Sequence, residues 1–319
     1  MEKHTLIGTL ALFALVSCSD IESGSPDAPS PISFHAELDY PSRGTTTDIG
    51  ALRSQGFSVY AMVSTDGEDD SEELYFSPTT YTYSEVSGEW TGTSHFWPEA
   101  GKSLDMYFYA PAAAFDSIHH AEREAFFSLK SDVGQQRDLL WGIPKTGLHA
   151  ADTAVAIDFA HALSRIVLTA YIDNDSITAA SGGATVTSVS LSGNFNTSGV
   201  ADLSATSASS VWKRTEASSA TYTPSTITSA ITNTDSANPT PLLKSGQEMF
   251  IIPTDFTVNK LRLTVTLSAS GNSYTLKHDI AARFEAGQTY TINIELTKPS
   301  AQISPDVTPD PSDPGEDNL

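Results

Sequence analysis

The stretch Ile32-Ser33-Phe34-His35-Ala36-Glu37-Leu38 alternates apolar and polar side chains, which is the pattern of a strand with one buried and one exposed face. Residues 57–63 repeat this alternation, and residues 290–296 show it again near the carboxyl end. Polar turns such as Ser87-Gly88 separate the apolar segments. Short strands at regular spacing predict an all-β protein made of antiparallel sandwiches.

The strands fall into two blocks, which predicts a first sandwich over residues 32–153 and a second over residues 154–298. Residues 196–245 are rich in Ser, Thr and Ala, and we expect long loops or edge strands there. Residues 117–127 are the one stretch compatible with a helix. Residues 299–319 are acidic and proline-rich without aromatic side chains, so they are predicted to be disordered.

The amino terminus has the features of a bacterial lipoprotein signal. Lys3 precedes an uncharged apolar run at residues 6–16, which is too short for the roughly 20 residues that span a bilayer. A small residue precedes Cys18, the only cysteine, as in a lipobox. This predicts a signal peptide over residues 1–17, diacylglycerol on Cys18 and a lipidated tether over residues 18–31. An ordinary secretory signal with a chance cysteine is the alternative.

The segment Ser19-Asp20-Ile21-Glu22 places two acids directly after the lipidated cysteine. It resembles the export signal that sends lipoproteins of Bacteroidota-type bacteria to the outer face of the outer membrane. The predicted location is therefore the outer membrane, lipid-anchored and surface-exposed. A plain polar linker is the alternative.

The composition limits the partners. The formal net charge of −22 repels nucleic acid and anionic lipid surfaces, so no nucleic acid is expected and membrane contact is expected only through the lipid. With Cys18 lipidated, no cysteine remains for disulfides, zinc or thiol catalysis.

The sequence lacks the common catalytic and metal-binding motifs. There is no G-x-S-x-G, Walker or dinucleotide-binding glycine pattern, so the protein is not expected to be an enzyme and no catalytic residue, metal or cofactor is predicted. The acidic run at residues 66–73 does not fit an EF-hand and is expected to be a solvated hairpin tip. His119 and His120 would point to different faces of a helix. His161 is expected to be hydrogen-bonded and partly buried.

Several segments, taken in order, resemble the fimbrillin family of pilus proteins. The best single match is Ile157-Asp158-Phe159-Ala160-His161-Ala162-Leu163-Ser164-Arg165-Ile166. The other matches are the lipobox at Cys18 and residues 32–38, 41–45, 56–61, 95–98, 104–111, 138–141, 251–253 and 284–290. The ordered set is specific although no single segment is, and it covers about residues 32–297.

The resemblance implies two tandem transthyretin-like β-sandwich domains and a role as a fimbrial subunit or related surface adhesin. In the family, a trypsin-like protease cuts after an arginine near the amino terminus, and a strand from a neighbouring subunit fills the groove left by the lost strand. Main-chain hydrogen bonds and alternating side chains make such strand addition favourable. The implied partners are other fimbrial subunits and a host or bacterial surface ligand.

Arg43, within Pro41-Ser42-Arg43-Gly44-Thr45, matches the cut site, with Arg53 as a weaker second site. The alternative is that Arg43 is an ordinary loop residue. The strand that a cut would release, and that would be exchanged on assembly, presents four apolar side chains: Ile32, Phe34, Ala36 and Leu38.

The carboxyl end of the sequence departs from the pattern of stalk subunits in this family, which supply a donor strand there. Proline lacks the N–H donor of a β-ladder, so residues 299–319 are not expected to supply the donor strand of a stalk subunit. This favours a tip, accessory or anchoring subunit.

Two other functions remain open. In a glycan-binding surface lipoprotein, Trp90, Trp97 and the tyrosines at 75, 81 and 83 would stack on sugars, although such residues are more often core and cross-strand pairs. A surface hydrolase would need two carboxylates about 5–9.5 Å apart in a cleft.

Overall fold

The structure, a computed structural model, is built almost entirely from β-strands. It describes residues 30–38, 49–67, 72–150, 154–172, 184–225, 227, 230–232, 234–244, 247–269, 271–296 and 304–309. Within these ranges no helix is long and apolar enough to cross a membrane.

The first part of the chain contains β1 (Phe34–Leu38), α1 (Ile49–Gln55), β2 (Phe57–Thr65), β3 (Glu73–Ser84), β4 (Glu89–Gly92), β5 (Lys102–Ala110), β6 (Ser117–His119), β7 (Glu124–Ser128), β8 (Leu140–Leu148) and β9 (Val155–His161). The second part contains β10 (Ser164–Ile172), β11 (Ala184–Asp202), β12 (Trp212–Tyr222), β13 (Ala230–Ile231), β14 (Thr240–Pro241), β15 (Met249–Ile251), β16 (Thr254–Asp255), β17 (Leu261–Ala269), β18 (Asn272–Ile280), β19 (Arg283–Phe284), β20 (Thr289–Leu296) and β21 (Ser304–Pro309).

The first sheet has seven strands in the order β1-β9-β8-β5-β2-β3-β4. Its two ends approach each other, because Pro31 before β1 forms a bridge with Phe96 after β4. The sheet curls around an apolar core to which its strands contribute alternate side chains and α1 contributes Leu52. In β1 every second side chain is buried, which is the outcome that the alternation at residues 32–38 predicts.

The opposite face of this sheet packs against the second half of the chain. Tyr60, Tyr107, Tyr109 and Trp141 are buried in the same apolar cluster as residues of β10, β11, β17 and β20. The indole N–H of Trp141 donates to the carbonyl oxygen of Ala205 at 3.2 Å. The two halves therefore share a continuous core.

Two further sheets, one of seven and one of five strands, form most of the second half. One has the order β18-β17-β11-β7-β6, with β12 and β13 also paired to β11. The other has the order β14-β10-β20-β21, with β15 also paired to β10. Apolar side chains from both sheets meet in the shared cluster, which is the arrangement of a sandwich.

The all-β prediction is confirmed, but the predicted boundary between residues 153 and 154 is wrong. β9 follows this boundary and yet completes the first sheet, while β7 precedes it and pairs with β11. Strand partners are chosen by packing, and neighbours along the chain are neighbours in a sheet only in about two-thirds of cases. The pairs β1–β9 and β10–β20 are parallel, whereas the prediction was of antiparallel sandwiches. The transthyretin-like detail stays a prediction.

Residues 117–127 form a hairpin of β6 and β7 instead of the helix considered from sequence. Ala125 and Phe127 alternate toward the core, and this period of two suits a strand. Arg123 makes the turn with φ of +54°, a left-handed conformation uncommon for a residue with a side chain.

The prediction of disorder over residues 299–319 is wrong for residues 304–309, which form β21 on the edge of β20. Val307 lies opposite Ile292 and packs against the core. Pro305 and Pro309 are an even number of residues apart, so their nitrogens point to the same edge of the strand. The residues between them can supply the donors toward β20, and an edge strand tolerates missing donors on its outer side. The rest of 299–319 lies outside the described residues.

Candidate functional site

β1, which contains three of the four residues predicted to be exchanged, lies in an apolar trough of the first sheet. Ile32, just before the strand, and Phe34 and Ala36 within it are 5–6% exposed, while Leu38 is half-buried at its end. The side chains between them point to solvent. The predicted alternation is therefore present. Whether the strand exchanges is a separate proposal.

Phe34 is the central side chain of this trough. Its ring centroid lies 4.8 Å from that of Tyr81, 5.9 Å from that of Phe57 and 6.1 Å from that of Phe108, each in an edge-to-face arrangement. Such geometries are favoured because the positive edge of one ring meets the negative face of the next. The aromatic side chains of β2, β3 and β5 thus form a socket for one side chain of β1.

The backbone of the β1 segment is held on both sides. On one side, β1 runs parallel to β9, with Phe34 opposite Val155 and Leu38 opposite Phe159. On the other side, the Ile32 N–H donates to the His95 carbonyl at 2.8 Å, and the Trp97 N–H donates to the Ser30 carbonyl at 3.0 Å. We call residues 95–97 the clasp. β1 is thus inserted between two parts of its own sheet.

Side-chain hydrogen bonds position the clasp. The imidazole of His95 stacks on Phe76 with centroids 3.8 Å apart, and its Nε2 lies 2.9 Å from the hydroxyl of Thr79. The Tyr75 hydroxyl donates to the Phe96 carbonyl at 2.9 Å. Burial lowers the pKa of His95, so its neutral form is favoured. The sequence contained no local signal that this loop would pair with residues 30–32.

The aromatic side chains considered for sugar stacking are mostly structural. Trp97 and Tyr81 are 5% and 3% exposed, and burial raises the pKa of Tyr81 to about 12. The centroid of the Trp90 ring lies 4.9 Å from that of Phe57 and 5.4 Å from that of Tyr83. Trp97 is therefore not an open platform.

The two modification sites predicted from sequence, Cys18 and Arg43, lie outside the described residues, as do the signal peptide and most of the tether. Arg53, the weaker cleavage candidate, lies in α1 with its guanidinium 4.3 Å above the Tyr83 ring. Residues 39–48, which contain Arg43, connect β1 to α1. This connection is the part of the chain that joins β1 to the rest of the first sheet.

The histidines have structural surroundings. His119 packs against Phe126 and His120 against Tyr60, so the adjacent rings point in different directions. His161 Nδ1 lies 2.5 Å from a carboxylate oxygen of Asp138, in agreement with the prediction of a hydrogen-bonded, partly buried histidine. Across the described residues, no group of three or more His, Cys, Asp or Glu side chains is placed to hold a metal ion.

A cleft of about 710 Å³ lies beside the end of β21, where Pro309 and Tyr290 line it. It contains two carboxylates. Asp255 accepts hydrogen bonds from the backbone and hydroxyl of Thr257, which lower its pKa, and Glu285 lies 3.3 Å from Arg283. A carboxyl held ionised in this way is a poor proton donor, so in a hydrolase Asp255 could act only as the nucleophile or base.

Comparison with known proteins gives the family. A fimbrillin-like family model matches residues 43–309. A fimbrial protein from Bacteroides vulgatus is similar to this chain with a TM-score of 0.61 and 16% identity, covering 87% of this chain and 98% of that one. A candidate cell adhesion protein from Bacteroides uniformis has a TM-score of 0.56 and 16% identity, covering 88% and 98%.

At these identities the solved structures show a common fold, and no curated protein sequence matches the chain. The family match covers most of the sequence, including the socket of β1 and the ladder of β21, and it supports a fimbrial or adhesive role at the cell surface. The chain belongs to the fimbrillin-like family.

Proposed function

We propose that this protein is a non-enzymatic fimbrial subunit or accessory adhesin that joins its neighbours by exchanging β1 for a strand of another subunit. The observation that supports this most is the position of β1. It is the first described strand, it fills an apolar trough, and a single connection, residues 39–48, joins it to α1. A cut in that connection leaves β1 bound only by noncovalent contacts.

Arg43 is the residue proposed for the cut. Trypsin-like proteases bind their substrates as extended chains, and Arg53 is held in a helix against Tyr83. Arg43 is therefore favoured over Arg53.

The trough explains why the strand must be replaced. Loss of β1 exposes Phe57, Phe108 and Ile157, which are fully buried in the uncut chain, together with the hydrogen-bonding groups of β9. An open apolar edge of this kind favours pairing with another strand. The replacing strand needs apolar side chains at alternate positions to fill the places of Ile32 and Phe34.

The prolines of residues 299–319 argued against a donor strand there, and hence against a stalk role, but β21 pairs as a strand despite two of them. It lies at the edge of its sheet and pairs in a regular ladder despite Pro305 and Pro309. Its alternate residues, with Val307 at the centre, have the spacing that an apolar trough accepts. Deleting residues 299–319 therefore tests the stalk role: loss of polymerisation in a folded protein supports it, whereas normal polymerisation supports a tip, accessory or anchoring role.

The lipid and the location are part of the same proposal. Cys18 carries diacylglycerol and anchors the precursor to the outer membrane at the cell surface until the cut after Arg43 releases the rest of the chain. Replacing Cys18 with Ser is expected to abolish labelling by a palmitate analogue and surface delivery. Continued labelling of the Cys18→Ser protein would contradict the proposed lipid site.

The cut is tested with two matched variants. Arg43→Ala is expected to block maturation and filament formation on cells, while Arg53→Ala leaves both intact. The readouts are the mass of the surface protein and the length of filaments in electron micrographs. Normal maturation of the Arg43→Ala protein would refute this part of the proposal.

A further inference from the structure

We propose that the outer edge of β12 pairs with the same edge of a second copy of this chain, as two antiparallel strands related by a two-fold axis. Strand exchange links subunits in sequence, whereas this contact would hold them side by side. The inference rests on the edge itself and does not depend on exchange of β1.

β12 is the longest strand in the described part of the molecule with one edge open along its whole length. Its eleven residues pair with β11 along one side, and no described strand pairs with the other side. The expectation of edge strands within residues 196–245 is thereby confirmed. An edge of this length presents a row of unpaired N–H and C=O groups that another strand can bind.

Other edges of the described sheets are protected by features that residues 217–222 of β12 lack. β21 carries Pro305 and Pro309, β14 has two residues, one of them proline, and β6 has three residues. β18 contains Lys277 and Asp279 in its second half and contacts β21. Prolines, charges and shortness are the usual protections against edge pairing.

The centre of β12 is uncharged and exposed. Ala217, Ser218 and Ser219 point to solvent on both faces, and the Ser218 hydroxyl lies 2.9 Å from that of Thr197 on β11, which ties the strand to its sheet. The charged residues lie at the beginning of the strand and include Arg214 and Glu216. The open edge is thus both available and firmly attached.

These charges favour a second copy as the occupant and select its register. In a two-fold antiparallel pair, one residue lies opposite its own copy. Centring the pair on Arg214 or Glu216 places like charges opposite each other. Centring it on Thr215 places Arg214 opposite Glu216 twice, which is favourable. Arg214 already lies 3.3 Å from Glu124, and its guanidinium has enough donors to bind both carboxylates.

One strand pair is a small interface, so we expect weak association of free subunits. Subunits linked in a filament would present many such edges together, and their combined attachment would be far stronger than that of a single pair. The contact therefore fits lateral association of filaments.

Cysteine cross-linking tests the register. The full chain is prepared with Cys18→Ser, and Thr215→Cys, Ala217→Cys and Ser219→Cys are introduced one at a time under mild oxidation. Two copies of residue 215 would lie about 5 Å apart between Cβ atoms. Two copies of residue 217 would be four residues out of step, about 13 Å apart, which a disulfide cannot span.

The expected result is a disulfide-linked dimer for Thr215→Cys and little for the other two variants. Adding Glu216→Lys, which places a lysine opposite Arg214 in both of these pairs, is expected to slow cross-linking about tenfold. All positions are exposed, so folding is checked by circular dichroism. Equal cross-linking at the three positions, no dimer at 215, or no effect of Glu216→Lys would overturn the proposal.

Discussion

Replacing Phe34 with Ala is the most direct perturbation of the trough that holds β1. Phe34 is 6% exposed, and its ring meets three others at centroid distances of 4.8–6.1 Å. Truncation of a buried phenylalanine to alanine costs about 3–5 kcal/mol, which combines lost burial with the cavity left behind. We expect Phe34→Ala to lower the free energy of unfolding of the uncut chain by about this amount.

The same energy sets how firmly β1 stays after a cut. Once the connection is broken, the strand is a bound peptide, and each 1.4 kcal/mol changes its dissociation constant about tenfold. Phe34→Ala should therefore weaken retention of the cut strand by roughly 100- to 4,000-fold. Release would be faster, and replacement by a competing strand would be easier.

Two assays measure these effects. Urea unfolding of the uncut chain gives the stability change, and fluorescence anisotropy of a labelled β1 strand, after proteolysis at Arg43, gives its rate of release. His35→Ala is the matched control, because the His35 side chain is 65% exposed on the opposite face of the strand. Surface substitutions of this kind usually change stability by less than about 0.5 kcal/mol.

Equal effects of Phe34→Ala and His35→Ala would refute the reasoning, since they would show that β1 does not use one buried face. A large loss of stability without faster release would show that the cut strand is held elsewhere.

Three further changes probe other parts of the fold. Val307→Asp should detach β21 from β20 and make this strand sensitive to proteases. Thr308→Asp, on the exposed face of the same strand, should not. Equal cleavage of the two variants would argue against the pairing of β21 with β20. Gly142→Ala should lower the free energy of unfolding by about 1–3 kcal/mol, because the new Cβ would lie 2.6 Å from that of Phe108; an unchanged urea midpoint would contradict this packing. Burial lowers the pKa of His120, so its neutral form contributes stability that is complete above the unfolded value of about 6.5 and is lost as pH falls below it. The urea midpoint should fall between pH 7 and 5, and the His120→Gln variant should show a smaller fall.

The local features of the fold could be predicted from sequence where a period of two was clear. The alternation at residues 32–38 correctly indicated which side chains of β1 are buried, and the weak pattern at residues 196–245 indicated edge strands. These are properties of a few consecutive residues. They depend on how side chains alternate across a strand and need no knowledge of partners.

The partners of the strands could not be predicted in this way. β1 pairs with β9, more than 100 residues away, and the clasp reaches it from a loop after β4. Such contacts depend on how whole sheets pack. The sequence favours a core or cross-strand position for Trp97, which is buried, but it does not indicate the neighbours of Trp97 in the clasp.

Prolines gave a misleading signal at the carboxyl end. A proline anywhere in a central strand breaks the ladder, but Pro305 and Pro309 share one edge of a strand that is paired on the other. Their spacing, which is visible in the sequence, would have allowed an edge strand to be predicted.

Amino-terminal analysis of subunits extracted from filaments tests the central claim most directly. Edman sequencing or mass spectrometry should find Gly44 as the first residue of assembled protein, with β1 absent from it. A filament subunit that begins at a lipid-modified Cys18 and retains residues 30–38 would contradict assembly by exchange of this strand.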